Sequence, residues 1–291
     1  MLSRRCFLKA GGGAALAFLL SKLRLSSELT TGGKMAKRRL GRTGLEVSVI
    51  GFGGAPLRRV REAEALLEAF KLGVNFVDTA ANYGKGASER VVGEALRRYG
   101  GRVYVATKTA KRRAAKARAD VEGSLRRLGV PAIDIIQLHS VSSPSTLKLV
   151  MGANGALKAV KELRDSGLVR YIGITGGHGA LDLRVRVDPV AEAKTIALAI
   201  LSGEFDVVQV SYNILYMGTA IEKVLDLAEE NDVGVIVKKP FVGGRMLKWL
   251  KPRELLKPLL EDKRIHTVIP GMKTVEHVRE NVPVGYVQPT A

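Results

Sequence analysis

The chain has 291 residues, 46% of them apolar, enough to bury one large core and better suited to one domain than to two. Its single cysteine, Cys6, excludes an internal disulfide, a cysteine-ligated metal or iron-sulfur cluster and thiol catalysis in the main body. The formal charge is +19, and +14 remains once the six basic residues and one acidic residue before Met35 are set aside, so polyanions have to be considered as partners.

In chain order, the first segment is Ser3-Arg4-Arg5-Cys6-Phe7-Leu8-Lys9 followed by an apolar run, Ala10 to Leu20, too short to span a bilayer comfortably. It resembles a twin-arginine export signal. The resemblance implies the twin-arginine translocase as a partner and an extracytoplasmic location. The alternative is a start at Met35 and a cytoplasmic protein. Residues 1–34 are therefore set apart as signal and linker, and residues 35–291 as one folded domain.

Within that domain, Arg39 to Glu46 opens as a hairpin-like polar stretch, and Val47 to Phe52 is expected as the first buried strand, ended by Gly53-Gly54. Further strands are expected to start near Asn75, Val103, Asp134, Tyr171, Asp206, Gly234 and His266. Amphipathic helices over Glu62–Leu72, Ala156–Ser166, Pro189–Leu201 and Ala220–Asn231 fall between them. The basic run Lys111 to Arg118 has helical spacing among alanines and no interleaved aromatics. It is expected as a solvated helix face, with no nucleic acid as partner. Eight strand-helix units predict an α/β chain folded as a single-domain (β/α)8 TIM barrel. A doubly wound open sheet is less well supported, since GFGGAP after the first strand lacks the third glycine of a phosphate-binding loop.

Three successive strands each carry a titratable side chain at the same end. Asp78 ends one, Lys108 ends VYVATK 30 residues later, and His139 ends DIIQLH 31 residues after that, each interval being about one βαβ unit. Tyr83 lies in the loop after Asp78, before a helix that Ser88 opens and whose apolar face is Val91, Val92, Ala95 and Leu96. A parallel barrel gathers these strand ends on one face. There the Lys108 ammonium is expected to lower the pKa of the Tyr83 phenol and make it a general acid. Asp78 keeps the ammonium charged, and His139 orients a carbonyl or relays a proton. Such a quartet moves protons but accepts no electrons, so it calls for a redox cofactor.

The segments LGRTGLEVSVIGFGG, NFVDTAANYGKGASERVVGEAL, VYVATKT, SLRRLGVPAIDIIQLH, LVRYIGITG and VIPGMKTVEHVREN together resemble the aldo-keto reductase family from about Arg38 to Asn281. The resemblance implies that Asp78, Tyr83, Lys108 and His139 are its catalytic tetrad and that a small carbonyl compound is reduced by NADP(H), with NAD(H) as the alternative cofactor. It also implies cofactor contacts at Thr175, Gln209, Lys238, Gly271, Lys273, His277, Glu280 and Asn281. Gln209 would hold the nicotinamide carboxamide, and residues 271–281 would wrap the adenosine phosphate. The chain departs from the family pattern in Thr175-Gly176, where Ser-Asn is common, in Lys238, where an aromatic is expected, and in His277, where arginine is frequent. Two other classes fit less of the sequence. One is a non-catalytic nucleotide-binding barrel regulating a membrane partner, which ought to have a broken tetrad; the other is a basic polyanion binder.

Overall fold

A computed structural model describes residues 33–177 and 189–287; the twin-arginine-like segment lies outside them. Eight strands lie side by side, all parallel, in chain order: β4 (Phe52–Gly53), β5 (Phe76–Asp78), β6 (Tyr104–Thr109), β7 (Ile133–Leu138), β8 (Val169–Thr175), β9 (Val207–Ser211), β10 (Gly234–Lys238) and β11 (Thr267–Ile269). Parallel bridges Ile50↔Val268 and Gly53↔Gly271 join the two edges and complete the circle. The strands are runs of Val, Ile and Phe without strict alternation, as expected of strands covered on both faces, with side chains in the barrel interior and helices outside.

The outer layer among the described residues is α1 (Ala63–Lys71), α2 (Ala87–Tyr99), α3 (Ala114–Leu128), α4 (Pro144–Met151), α5 (Ala156–Asp165), α6 (Pro189–Leu201), α7 (Ala220–Glu230), α8 (Pro252–Glu261) and α9 (Val275–Asn281). The helices form because apolar residues recur every three or four positions. In α2, Val91, Val92 and Ala95 are buried, whereas Arg97 and Arg98 sit in its last turn, where cations favour the negative end of the helix dipole, and Gly100 closes it in a left-handed cap. The expected barrel is thus observed, and each of the four helices read from the periodicity begins and ends within a residue of where it was expected.

One expectation fails. Val47 to Phe52 is not a single strand: Glu46–Ser48 (β3) pairs antiparallel with Lys37–Arg39 (β2), and the barrel strand proper is only Phe52–Gly53. The hairpin folds over the N-terminal end of the barrel. Leu40, Leu45 and Val47 join Phe76, Ala106, Ile135, Val207, Ile236 and Ile269 in one buried cluster. These apolar residues plug that end and leave the C-terminal end for polar work. The short strands β1 (Lys34–Met35) and β12 (Tyr286–Val287) pair beside it.

The plug depends on a close backbone approach at Gly41. Its φ of +49° suits glycine, and a Cβ there would stand 2.2 Å from Gly234 N and 2.7 Å from Asp232 O. Backbone atoms cannot swing aside as a side chain can. Gly41→Ala is therefore expected to cost about 2–4 kcal/mol, combining left-handed strain with overpacking. Urea denaturation checks this, and an unshifted midpoint would show that the plug does not need the contact.

Candidate active site

Asp78 is the last residue of β5 and Lys108 the penultimate residue of β6; both side chains are almost inaccessible, at 3% and 1% exposure. Lys108 Nζ donates to Asp78 Oδ2 at 2.6 Å and to the Thr79 carbonyl at 2.7 Å. The other carboxylate oxygen, Oδ1, accepts from Gln137 Nε2 of β7 at 3.1 Å and from Gln209 Nε2 of β9 at 2.9 Å. A buried carboxylate needs a cation and donors around it, and here three other strands, β6, β7 and β9, supply them.

Tyr83 reaches this pair from the loop after β5. The Lys108 ammonium lies 4.9 Å from its ring centre, and the ring meets that of His139 edge-on, with centroids 5.9 Å apart and planes at 81°. The loop is shaped by left-handed Gly84, Lys85 and Gly86. Its base is tied down by Ser88, whose hydroxyl shares a 2.7 Å hydrogen bond with Thr79 Oγ1 and donates to the Gly54 carbonyl at 2.7 Å. All four residues of the expected tetrad therefore meet at the C-terminal mouth.

The ionisation of Tyr83 differs from expectation. Burial raises its pKa, Lys108 pulls it down and Asp78 pushes it up again, so the phenol is held above its ordinary value rather than below. The physical reason is that Asp78 offsets the charge of Lys108, leaving desolvation of the phenolate as the larger effect. For Lys108 itself, burial works to strip the proton. Asp78, with Tyr83, reverses this and raises the pKa, so the side chain stays an ammonium. At neutral pH the site therefore holds a neutral phenol beside a paired cation.

The turn carrying His139 is fixed by two residues. Ser140, at φ +54°, donates its N–H to Thr175 Oγ1 at 3.0 Å. Arg112 donates to the His139 carbonyl at 2.7 Å and to the Ser140 carbonyl at 2.9 Å. Arg112 belongs to the run expected as a solvated helix face. Instead α3 begins at Ala114, and Arg112 turns half-buried toward the mouth, where desolvation lowers its pKa. Gln137 also went unrecognised in the sequence. The available signal was alternation, since it lies two residues before His139 on a strand and so faces the same way.

The expected cofactor residues fall into two groups. Thr175 and Lys238 end β8 and β10, and Gln209 lies in the middle of β9; Thr175 is fully buried, its hydroxyl accepting from the Ser140 N–H and donating to the Gly176 carbonyl. Gly271 to Asn281 lies beside the end of β4, where Gly53 pairs with Gly271 and accepts from Met272 N at 3.3 Å. Lys273 there is half exposed and 3.4 Å from the Glu62 carboxylate, while His277 and Glu280 are exposed on α9. Gln209 Oε1 and Asn281 Oδ1 are buried acceptors without a partner among the described residues. A nicotinamide adenine dinucleotide carries an amide N–H2 at one end and an aromatic N–H2 at the other, so one acceptor in each group fits it. No set of metal-ligating side chains occurs among the described residues.

The model of the Aldo/keto reductase family matches residues 49–257. L-galactose dehydrogenase of Arabidopsis thaliana is 30% identical over 86% of this chain and 88% of its own length. Pyridoxine 4-dehydrogenase of Escherichia coli is 27% identical over 89% of this chain and 93% of its own. Among solved structures, an aldo-keto reductase from Bacillus halodurans in its holo form superposes with a TM-score of 0.68 at 24% identity, covering 88% of this chain and 93% of that one. One from Klebsiella pneumoniae in complex with NADPH gives 0.66 at 20%, covering 89% and 92%. Matched along most of its length in sequence and in fold, the chain belongs to the aldo/keto reductase family.

Proposed function

We propose that the protein reduces an aldehyde or ketone to an alcohol with NADPH. The observation that carries this is the buried Lys108–Asp78 pair with Tyr83 and His139 against it at one barrel mouth. NADPH, when bound, supplies the hydride to the carbonyl carbon. Tyr83 donates a hydrogen bond to the carbonyl oxygen and passes its proton as negative charge builds there. Its raised pKa keeps the proton in place over the whole neutral range, which suits reduction. Once the proton has gone, the adjacent Lys108 ammonium stabilises the phenolate until solvent at the barrel mouth reprotonates it. The preference for NADPH over NADH is modest, because Lys273 offers one half-exposed cation already engaged by Glu62. The complete tetrad counts against a purely regulatory barrel.

Tyr83→Phe removes only the acid. Carbonyl reduction should fall by about a thousandfold or more while the dissociation constant for NADPH, read from nucleotide fluorescence, changes less than about twofold. Turnover like the wild type's would remove Tyr83 from this role.

We further propose that the protein is exported by the twin-arginine translocase, on the strength of Ser3-Arg4-Arg5-Cys6-Phe7-Leu8-Lys9. The twin-arginine route accepts folded cargo, which agrees with a barrel that must load its nucleotide before leaving. Replacing Arg4 and Arg5 with lysine should retain the protein in the cytoplasm, as followed by fractionation of the native host. A native chain starting at Met35 with only cytoplasmic activity would rule the export reading out.

A further inference from the structure

Lys238 is a charged group at the mouth that the proton chemistry does not use. It ends β10, in register with Ser211 of β9 and Ile269 of β11. Its Nζ crosses to the end of β8 and donates to the Gly176 carbonyl at 2.8 Å and the Gly177 carbonyl at 2.7 Å. Gly176 in turn donates its N–H to the Gln209 carbonyl at 3.3 Å, and the Gln209 side chain donates to Asp78 at 2.9 Å. A short relay of contacts thus ties the ammonium to the catalytic carboxylate. Glu192 of α6 approaches the same place: a Cβ on Gly176 would lie 2.1 Å from Glu192 Oε1, so the carboxylate packs directly against that glycine.

We infer that Lys238 biases the site toward the reduced form of its nucleotide. The oxidised nicotinamide ring carries a positive charge and the reduced ring none, so a fixed cation at the mouth disfavours the first and leaves the second untouched. One unit charge several ångströms away in a partly solvated site is worth about tenfold in the ratio of the two affinities. The inference rests on the nucleotide reading above, because the ring has to come within hydride reach of the carbonyl that Tyr83 protonates.

The bias has a pH window. Burial lowers the pKa of Lys238 to about 8; Glu192 of α6 and Asp78 of β5 hold the proton on, while Lys108 of β6 and the adjacent Lys239 push it off. The charge is therefore present below about pH 8 and fades above it. Lys108 and Tyr83 have raised pKa values and do not discharge in that window.

The test is the dissociation constant of NADPH and of NADP+ for the full chain, by calorimetry, at pH 6.5 and pH 9.5. Both nucleotides carry the same phosphates, so phosphate titration cancels in the ratio. The wild type should favour NADPH by about tenfold more at pH 6.5 than at pH 9.5. Lys238→Met should show the lower ratio at both values. Lys238→Arg, charged throughout, should keep the higher ratio at both, which separates charge from loss of the two carbonyl hydrogen bonds. A wild-type ratio that ignores pH, or Met and Arg variants that behave alike, would overturn the inference and leave the reductase reading standing. Failure of the wild type to bind either nucleotide would instead overturn the reductase reading, and this inference with it.

Discussion

Everything at the mouth of this barrel depends on the buried ion pair between Lys108 and Asp78. Two charges taken out of water lose several kcal/mol of hydration each, and their attraction recovers it only when the remaining donors and acceptors are also matched. The match here comes from the Thr79 carbonyl on one side and from Gln137 and Gln209 on the other. Asp78, Lys108, Gln137 and Gln209 belong to four different strands, so the pair exists only in the closed barrel. Losing either charge would leave the other uncompensated in a site with almost no access to water, a loss on the order of 3–5 kcal/mol.

The pair also decides how Tyr83 behaves. An isolated ammonium beside a phenol would draw its proton away, whereas an ammonium already answered by a carboxylate does so weakly, and burial then dominates. The result is a neutral acid with a cation at hand to receive the charge it leaves behind. The backbone around the mouth is correspondingly unusual. Among the described residues, Lys85, Ser140, Lys239 and Val242, four of the five non-glycines with positive φ, follow the C-terminal ends of barrel strands. For β-branched Val242 that conformation is costly. The opposite end, plugged by Leu40, Leu45 and Val47, is an apolar closure, and the two ends divide stability from chemistry.

Much of this was legible in the sequence, for physical reasons. Strands recur about every thirty residues, and an ionisable side chain at the end of an apolar run is conspicuous, so the barrel and the four residues of the tetrad could be placed in advance. Val47 to Phe52 could not be divided correctly, because both halves are apolar and periodicity does not tell a strand that plugs a barrel from one that builds its wall. Arg112 was hidden in a basic run whose composition fits a solvated face, and only the helix start at Ala114 frees it to reach the His139 carbonyl. Gln137, uncharged within a strand, carried too weak a signal by itself. The direction of the Tyr83 shift depends on how deeply the phenol is packed and on what already answers Lys108, and neither quantity is written in residue order.

Whether the paired lysine leaves Tyr83 a neutral acid in the resting protein is decided by the titration of that one phenol. With tyrosine labelled at 13Cζ and the Tyr83 resonance assigned by its disappearance in Tyr83→Phe, the signal should titrate with a midpoint above the ordinary tyrosine value of about 10. A midpoint well below 10 would mean that the Lys108 charge outweighs burial and that Tyr83 is not held as a neutral acid.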